Sequence, residues 1–202
     1  MPLPLFFAWA IYILLGLTGG VLAGKAAYRI ITRKDKIVFL SGESGVGKTT
    51  LLEVLRLKDN EMLKESESKR TPSNKENALE VKIANLKYGF TDTEGAAYNK
   101  KKIEDLKNKL AKKHKNKVLE IYVFDASDYS KKHKAIIEAI KIEADKRGFQ
   151  CVALGTHKDK IDEQKEQSIK QELKDIMYCQ IFQLINNSQA KSEVEDFIKG
   201  VS

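Results

Sequence analysis

Eight consecutive residues, Gly42–Thr49, constrain the fold of this chain more than any other feature. They read G-E-S-G-V-G-K-T and match the pattern G-x-x-x-x-G-K-[ST] at every fixed position. The apolar, β-branched run DKIVFLS at 35–41 precedes them and predicts a buried parallel strand. The run TLLEVLRL at 50–57 follows, with apolar residues at helical spacing. A strand, a glycine-rich loop and a helix in this order predict an α/β domain with a phosphate-binding loop.

The residue types of this loop explain what it binds. Glycines let the backbone wrap closely around phosphate oxygens, and the amides at the start of the helix supply partial positive charge. Lys48 is expected to reach the β and γ phosphates of a nucleotide, and the Thr49 hydroxyl is expected to ligate Mg²⁺. The nucleotide-binding residues predicted here are Gly42, Glu43, Ser44, Gly45, Val46, Gly47, Lys48, Thr49 and Thr50.

An apolar segment precedes the nucleotide-binding part of the chain. Residues 3–24, LPLFFAWAIYILLGLTGGVLAG, carry no charge and are long enough to cross a bilayer as a helix. A cleaved signal peptide would need Lys or Arg before the apolar stretch and a shorter apolar core. Met1 and Pro2 supply no such charge. Basic residues follow at positions 25, 29, 33, 34 and 36, so the positive-inside rule predicts that the N-terminus lies outside and the remainder in the cytoplasm.

The predicted organisation is therefore a transmembrane helix at 1–24, a basic juxtamembrane linker at 25–35 and a nucleotide domain at 36–202. The membrane would be a bacterial inner membrane or the endoplasmic reticulum. Gly16, Gly20 and Gly24 recur every four residues and allow self-association of the helix, although glycines are common in spanning helices for other reasons. Cys151 and Cys179 lie in apolar runs and are expected to be buried thiols.

Residues 60–77 are polar and predict a long loop. Long loops in compact domains are usually functional, and in nucleotide switches such a loop brings a hydroxyl to Mg²⁺ when a γ-phosphate is present. Thr71 is the preferred candidate, with Ser68 and Ser73 as alternatives.

A second phosphate motif follows. The alternating run LEVKIANLK at 79–87 predicts an exposed edge strand, and after YGFT the chain reads Asp92-Thr93-Glu94-Gly95, which has the spacing D-x-x-G. With this motif the chain resembles the translation-factor-related class of P-loop GTPases, which includes Ras-like and Arf-like proteins and the β subunit of the signal-recognition-particle receptor. The resemblance covers roughly Lys36–Gly200. It implies a Ras-like three-layer α/β domain with a mostly parallel sheet, bound GTP or GDP, Mg²⁺ held through water by Asp92, and a γ-phosphate contact from Gly95.

The strand QCVALG at 150–155 ends in Thr156-His157-Lys158-Asp159, which is similar to the family's guanine-reading N-K-x-D. Guanine presents N1–H and an exocyclic amine side by side, and one carboxylate can accept both hydrogen bonds. Asp159 is therefore expected to select guanine over adenine. Thr156 replaces the Asn of the family's motif, and His157 replaces its Lys. Either His157 stacks on the base in place of that Lys, or Lys158 turns inward.

Periodicity predicts the remaining elements. KVLEIYVF at 117–124 and YCQIFQLIN at 178–186 predict strands, and residues 131–146 predict a helix. Asn187-Ser188-Gln189 after the last strand aligns with the family's S-A-K loop. Ser192 and Glu195 have the form of a capping box that opens a closing helix.

Turnover is expected to be slow. In Ras-like and Arf-like proteins a Gln after D-x-x-G orients the attacking water, and here the position is Ala96. Glu94, Tyr98 or a partner could supply the missing group; Lys48, Thr71 and Gly95 are the residues expected to act in hydrolysis. Three classes remain open: a slow GTPase switch with a protein partner at its switch loops, a GTP-loaded anchoring subunit, and a P-loop ATPase.

Residues 99–117 carry nine lysines interleaved with Ile103, Leu106 and Leu110, which predicts an amphipathic surface helix. The net charge of +8 and this helix suit an anionic lipid surface, RNA or an acidic protein, or simply a solvated face. No aromatic residue is interleaved for base stacking, so nucleic-acid binding is not predicted.

Overall fold

A six-stranded sheet organises the protein. The structure is a computed structural model that describes residues 34–65, 78–83, 86–92 and 100–201. The strands are β1 (Lys36–Ser41), β2 (Ala78–Ile83), β3 (Leu86–Asp92), β4 (Val118–Asp125), β5 (Gln150–Thr156) and β6 (Cys179–Ile181). Their order in the sheet is β2-β3-β1-β4-β5-β6. Only the β2–β3 pair is antiparallel among these strands, so the expectation of a mostly parallel sheet is confirmed.

Five α-helices lie in the described part of the chain. They are α1 (Lys48–Arg56), α2 (Lys100–Lys113), α3 (Lys131–Arg147), α4 (Glu163–Leu173) and α5 (Ala190–Gly200). Single-turn 3-10 helices occupy Lys115–Lys117, Ala126–Asp128 and Lys158–Lys160. The connections between parallel strands run through these helices, as the geometry of parallel pairing requires.

The central strands are apolar on both faces because helices cover both. Side chains alternate along a strand, so Val38 and Leu40 of β1 share one face with Ile121 of β4 and pack with α1 and α5. Tyr122 and Phe124 of β4 point to the other face and pack with α3 and α4. Burial on both faces explains why these strands read as continuous apolar runs.

Three features of the fold differ from the sequence prediction in strand and helix boundaries. The run at 79–87 is not one strand: β2 and β3 form a hairpin in which Ile83 pairs with Leu86. Each strand is short and only Ala84 and Asn85 separate Ile83 from Leu86, so the sequence pattern did not reveal the turn. The last strand is also shorter than predicted, ending at Ile181, and helix α4 was not predicted at all. Its signal was present: Asp162 caps it by accepting from the Lys165 amide at 2.7 Å.

The predicted capping box at Ser192 is wrong. Helix α5 begins at Ala190, its first flanking residue is Gln189, and no side chain caps it. Ser192 lies within the first turn and donates from its hydroxyl to the Gln189 carbonyl oxygen at 2.9 Å. This local bond to a preceding carbonyl is the usual alternative for a serine in a helix.

The lysine-rich segment forms helix α2, but not all of its lysines face solvent. Leu110 is fully buried. Lys107 is buried as well, and its ammonium donates to Glu120 of β4 at 2.6 Å. Its ammonium lies 5.4 Å from the centre of the Phe39 ring. The predicted amphipathic helix therefore exists, and Lys107 lies on its inner face.

The two cysteines are free thiols. Cys179 is buried and Cys151 is half-buried. Burial raises the pKa of each thiol to about 12, so both are predominantly protonated at neutral pH.

Several predicted segments lie outside the described residues. They are the membrane segment 3–24 with its three glycines, linker residues 25–33, and Ser68, Thr71, Ser73, Glu94, Gly95, Ala96 and Tyr98. Within the described ranges, no helix combines the length and apolar character that a membrane crossing requires.

Candidate nucleotide-binding site

The phosphate-binding loop connects the end of β1 to the first turn of α1. Gly42, Gly45 and Gly47 have φ angles of 139°, 86° and 97°, in the region that favours glycine. A Cβ on Gly42 would lie 2.0 Å from the carbonyl oxygen of Val123 in β4. The loop therefore crosses β4 at a distance that no other residue type tolerates. This is the physical requirement behind the first glycine of the motif.

Lys48 closes the loop. Its side chain is buried, and its ammonium donates to the carbonyl oxygens of Gly42 at 2.6 Å and Glu43 at 2.8 Å. Thr49 and Thr50 are half-buried in the first turn of α1, whereas the Val46 side chain is buried in the core. The loop thus brings one positive charge, a helix N-terminus and the Thr49 hydroxyl together, which suits a phosphate and its Mg²⁺.

The tip of the loop is exposed at Glu43, Ser44 and Gly45. Glu43 forms an ion pair with Lys132 at the start of α3, at 2.8 Å. The hydrogen bond and charge of Lys132 lower the pKa of the Glu43 carboxyl. Because both side chains are largely in solvent, the pair contributes little to the stability of the fold.

The Thr156-His157-Lys158-Asp159 segment begins with the last residue of β5, and its Thr156 contacts the phosphate loop. Thr156 is buried, and its hydroxyl donates to the Val46 carbonyl oxygen at 2.8 Å, with the Phe124 carbonyl oxygen at 3.2 Å. A bond across 110 sequence positions thereby joins the two predicted nucleotide motifs. Asp159 is exposed in the following 3-10 turn, and its carboxylate has no partner among the described residues. A free carboxylate at this point is available to a ligand.

His157 and Lys158 take different directions. His157 has a φ angle of 57°, and its Nδ1 lies 3.1 Å from Asp125 Oδ2 and 3.1 Å from Thr156 Oγ1. Lys158 is 47% exposed and lies 3.4 Å from Glu166 of α4.

Asp125, the last residue of β4, is a site residue that the sequence analysis did not assign. Burial on its own raises the pKa of this carboxyl, but hydrogen bonds from the Ser127 hydroxyl and amide, with His157 and Lys160 nearby, outweigh it and leave the pKa below its ordinary value. A signal was available: ligands of open α/β sheets bind at the carboxyl ends of the strands, where this Asp follows an apolar run.

The loop between β6 and α5 lies beside the same site. The Asn187 side chain accepts from the Gln189 amide at 2.9 Å and donates to the Gln183 carbonyl oxygen at 3.2 Å. Ser188 and Gln189 are exposed. The Lys158 amide donates to the Phe182 carbonyl oxygen, so this loop and the Asp159 turn are adjacent. The Asn186 amide donates to Leu63 and connects the loop to the segment after α1.

The predicted Mg²⁺ ligands are only partly within the described chain. Asp92 ends β3, where its backbone pairs with Leu40 beside the phosphate loop. Thr71 and Gly95 lie outside the described residues. Within the described ranges, no group of three or more His, Cys, Asp or Glu side chains could hold a metal. Thr49 is the described residue whose hydroxyl fits the ion.

The sheet order, the glycine-lined loop and the buried lysine at the start of α1 define a P-loop nucleotide-binding α/β domain. Residues 37–154 match the family model described as 50S ribosome-binding GTPase. The chain belongs to this family, and its domain is a GTP-binding P-loop GTPase domain.

Two solved structures show the same fold. One is a GTP-binding protein from the hyperthermophilic archaeon Sulfolobus solfataricus in complex with GDP, with 15% identity, a TM-score of 0.51 and coverage of 96% of this chain and 60% of the other. The second is a variant of Era from Aquifex aeolicus bound to GDP and AlF4⁻, with 15% identity, a TM-score of 0.55 and coverage of 84% and 57%. The chain thus spans less than two thirds of either protein. No curated protein sequence matches it.

Proposed function

We propose that this protein is a membrane-anchored, cytosol-facing GTP-binding protein that acts as a slow GTPase switch. The observation that carries the guanine assignment is the Thr156 hydroxyl bond to the phosphate loop. That bond joins the end of β5 to the loop, and Asp159, whose carboxylate has no partner among the described residues, lies on the turn that follows β5. If the phosphates of a nucleotide bind at Lys48, its base would lie at the Asp159 carboxylate.

In this proposal each group of site residues binds a different part of the nucleotide or its Mg²⁺. The amides of 42–47 and the Lys48 ammonium would bind the phosphates, and Asp159 would read guanine. The backbone of Asn187, Ser188 and Gln189 would border the base from the adjacent loop. Thr49, Thr71 and Asp92 would hold Mg²⁺, which neutralises charge on the β and γ phosphates when bound. The amide of Gly95 would contact the γ-phosphate.

Slow hydrolysis is proposed because Ala96 cannot orient a water molecule. The same residue favours a second candidate, a GTP-loaded anchoring subunit that recruits a partner to the membrane with little or no turnover. The resemblance to the β subunit of the signal-recognition-particle receptor supports that alternative. A protein partner at the switch loops is proposed in both cases.

Membrane anchoring rests on the charge-free run at 3–24 and on the basic residues that follow it. The proposed membrane is a bacterial inner membrane or the endoplasmic reticulum, with the N-terminus outside. The glycine face of the helix would permit self-association. The family's description names the 50S ribosomal subunit, but the absence of aromatic residues between 99 and 117 gives no support for a nucleic-acid contact by that basic segment.

The test uses full-length protein purified in a mild detergent and fluorescent GTP and ATP, with and without Mg²⁺. We expect GTP to bind in preference to ATP, and Asp159→Ala to abolish that preference while Lys48→Ala removes binding of both. Equal or preferential ATP binding that ignores Asp159 would refute the guanine assignment and favour a P-loop ATPase.

A single-turnover hydrolysis assay on the same sample distinguishes the slow GTPase switch from the GTP-loaded anchoring subunit. A switch should hydrolyse bound GTP on the order of 10⁻⁴ s⁻¹, the scale of an unassisted small GTPase, and Ala96→Gln should accelerate it. No detectable turnover in either protein would favour the anchoring subunit.

Anchoring is tested by carbonate extraction of membranes from expressing cells. The full-length chain should remain in the pellet, whereas Leu14→Lys with Leu15→Lys should release it, because each charge at the centre of a spanning helix costs about 2.5–3.5 kcal/mol. Extraction of the unmodified chain would exclude a spanning anchor.

A further inference from the structure

The pair formed by Asp125 and His157 lies at the carboxyl ends of β4 and β5. Asp125 ends β4 and His157 follows β5, and Asp125 pairs with Thr156 across these parallel strands. Asp125 Oδ1 accepts from the Ser127 amide at 2.8 Å and from the Ser127 hydroxyl at 2.6 Å. Those bonds fix the carboxylate, and its second oxygen lies 3.1 Å from His157 Nδ1.

The partners of Nδ1 determine which ring nitrogen carries the proton. An ionised carboxylate only accepts hydrogen bonds, so Nδ1 must be the donor to Asp125. The Thr156 hydroxyl donates its own proton to Val46 and can only accept at Nδ1. Asp125 therefore holds the Nδ1–H form of the ring and leaves the Nε2 edge without either contact.

His157 is also held in a backbone conformation that non-glycine residues seldom adopt. Its φ angle of 57° lies in the left-handed region, which costs an ordinary residue about 1–2 kcal/mol. Such conformations persist where surrounding contacts impose them, and they concentrate at ligand sites. The His157 side chain contacts Asp125 and Thr156, and its carbonyl oxygen accepts from the Lys160 amide at 3.0 Å.

The competing arrangement, in which Lys158 turns toward the base, is disfavoured. Lys158 lies 3.4 Å from Glu166, which also accepts from Lys170 at 2.6 Å. Its side chain extends to α4, whereas His157 extends to the strand ends of β4 and β5.

We propose that His157, positioned by Asp125, provides the flat surface on which the guanine ring packs, so that Asp125 is a positioning residue for nucleotide affinity. The proposal rests on the proposed function, in which Asp159 reads the guanine edge. An imidazole face offers a base the stacking contact that a lysine stem would otherwise give through its methylene groups.

The experiment is a double-mutant cycle on the full-length protein in detergent, with fluorescent GDP affinity and dissociation rate as readouts. His157→Ala should weaken GDP binding about 5- to 150-fold, which corresponds to the about 1–3 kcal/mol that base stacking contributes. His157→Phe should retain most of the affinity because it keeps a flat ring.

Asp125→Asn keeps an acceptor for Ser127 but replaces the oxygen that faces His157. It should weaken GDP binding severalfold when His157 is present and leave it unchanged in the His157→Phe background. A merely structural Asp125 would weaken both backgrounds equally, and that result overturns the proposal. Unchanged affinity of His157→Ala overturns it as well. Melting temperatures of all variants establish that they fold.

Asp159→Asn separates failure of this proposal from failure of the proposed function. An Asn matches the N1–H and C2 carbonyl of xanthine, so the variant should exchange GDP for the xanthine analogue. If it does so and the cycle shows no coupling, only the positioning role is overturned. If the unmodified protein binds no guanine nucleotide, the proposed function and this inference are both refuted.

Discussion

Replacement of Lys107 by Met should destabilise the domain strongly, although the residue belongs to a lysine-rich surface helix. Lys107 and Glu120 are only 6% and 4% exposed, and their charged atoms lie 2.6 Å apart. Glu120 is opposite Phe39 in the β1–β4 ladder, and the Lys107 ammonium also lies near the Phe39 ring. The Met variant would leave the Glu120 carboxylate buried without a counter-charge.

Removal of one partner of a buried ion pair costs about 3–5 kcal/mol, because the remaining charge is desolvated without compensation. In a domain of this size each kcal/mol lowers the melting temperature by about 2–4 °C, so a decrease of about 6–20 °C is expected. Replacement of both partners by apolar residues of similar volume is often neutral. Lys107→Met combined with Glu120→Leu should therefore recover most of the lost stability.

The assay is unfolding of the full-length protein in detergent, by heat and by urea, followed by circular dichroism. Lys109→Met is the matched control, since this lysine is exposed on the same helix, and it should change stability by less than about 0.5 kcal/mol. The reasoning is refuted if Lys107→Met is no worse than Lys109→Met, or if the double variant is as unstable as the single one.

Three further predictions concern the site and the thiols. Thr156→Val leaves the buried phosphate-loop carbonyl without its donor, which should cost about 1–3 kcal/mol in urea unfolding, while Thr156→Ser should cost less. Gly42→Ala would bring its Cβ to 2.0 Å from a β4 carbonyl oxygen and should abolish GDP binding. Gly45→Ala, whose Cβ meets nothing within 4 Å, should bind better than Gly42→Ala. Cys151 and Cys179, with pKa values of about 12, should react with Ellman's reagent at pH 8 only after denaturation.

Each of these has a contradicting result. Unfolding of Thr156→Val at the urea concentration of the unmodified protein would show that the hydroxyl bond does not form. Equal GDP affinity of the two glycine variants would show that the loop does not cross β4 closely. Stoichiometric thiol reaction of the folded protein within seconds would show that the cysteines are accessible.

Prediction from the sequence succeeded where the signal was local. Strand β1, the phosphate loop and helix α1 are adjacent in the chain, and the motif and the apolar spacing that predict them lie within one continuous stretch. The same holds for β4, α3 and β5, whose periodicity is unbroken. It failed where two short strands are separated by only Ala84 and Asn85, so that the β2–β3 hairpin was predicted as a single strand. Helix α4 was missed because only Ile169 and Leu173 of its eleven residues are buried apolar residues.

The sequence by itself determined that the chain holds a P-loop and a charge-free segment at 3–24, and it predicted Asp159 as the guanine-reading carboxylate. Only the tertiary structure decided that Asp125 faces His157, that Lys158 turns to Glu166 and that Lys107 is buried over Phe39. Each of these contacts joins residues from different elements. Their distances depend on the order in which the strands enter the sheet, and that order is a property of the packed core rather than of any stretch of sequence.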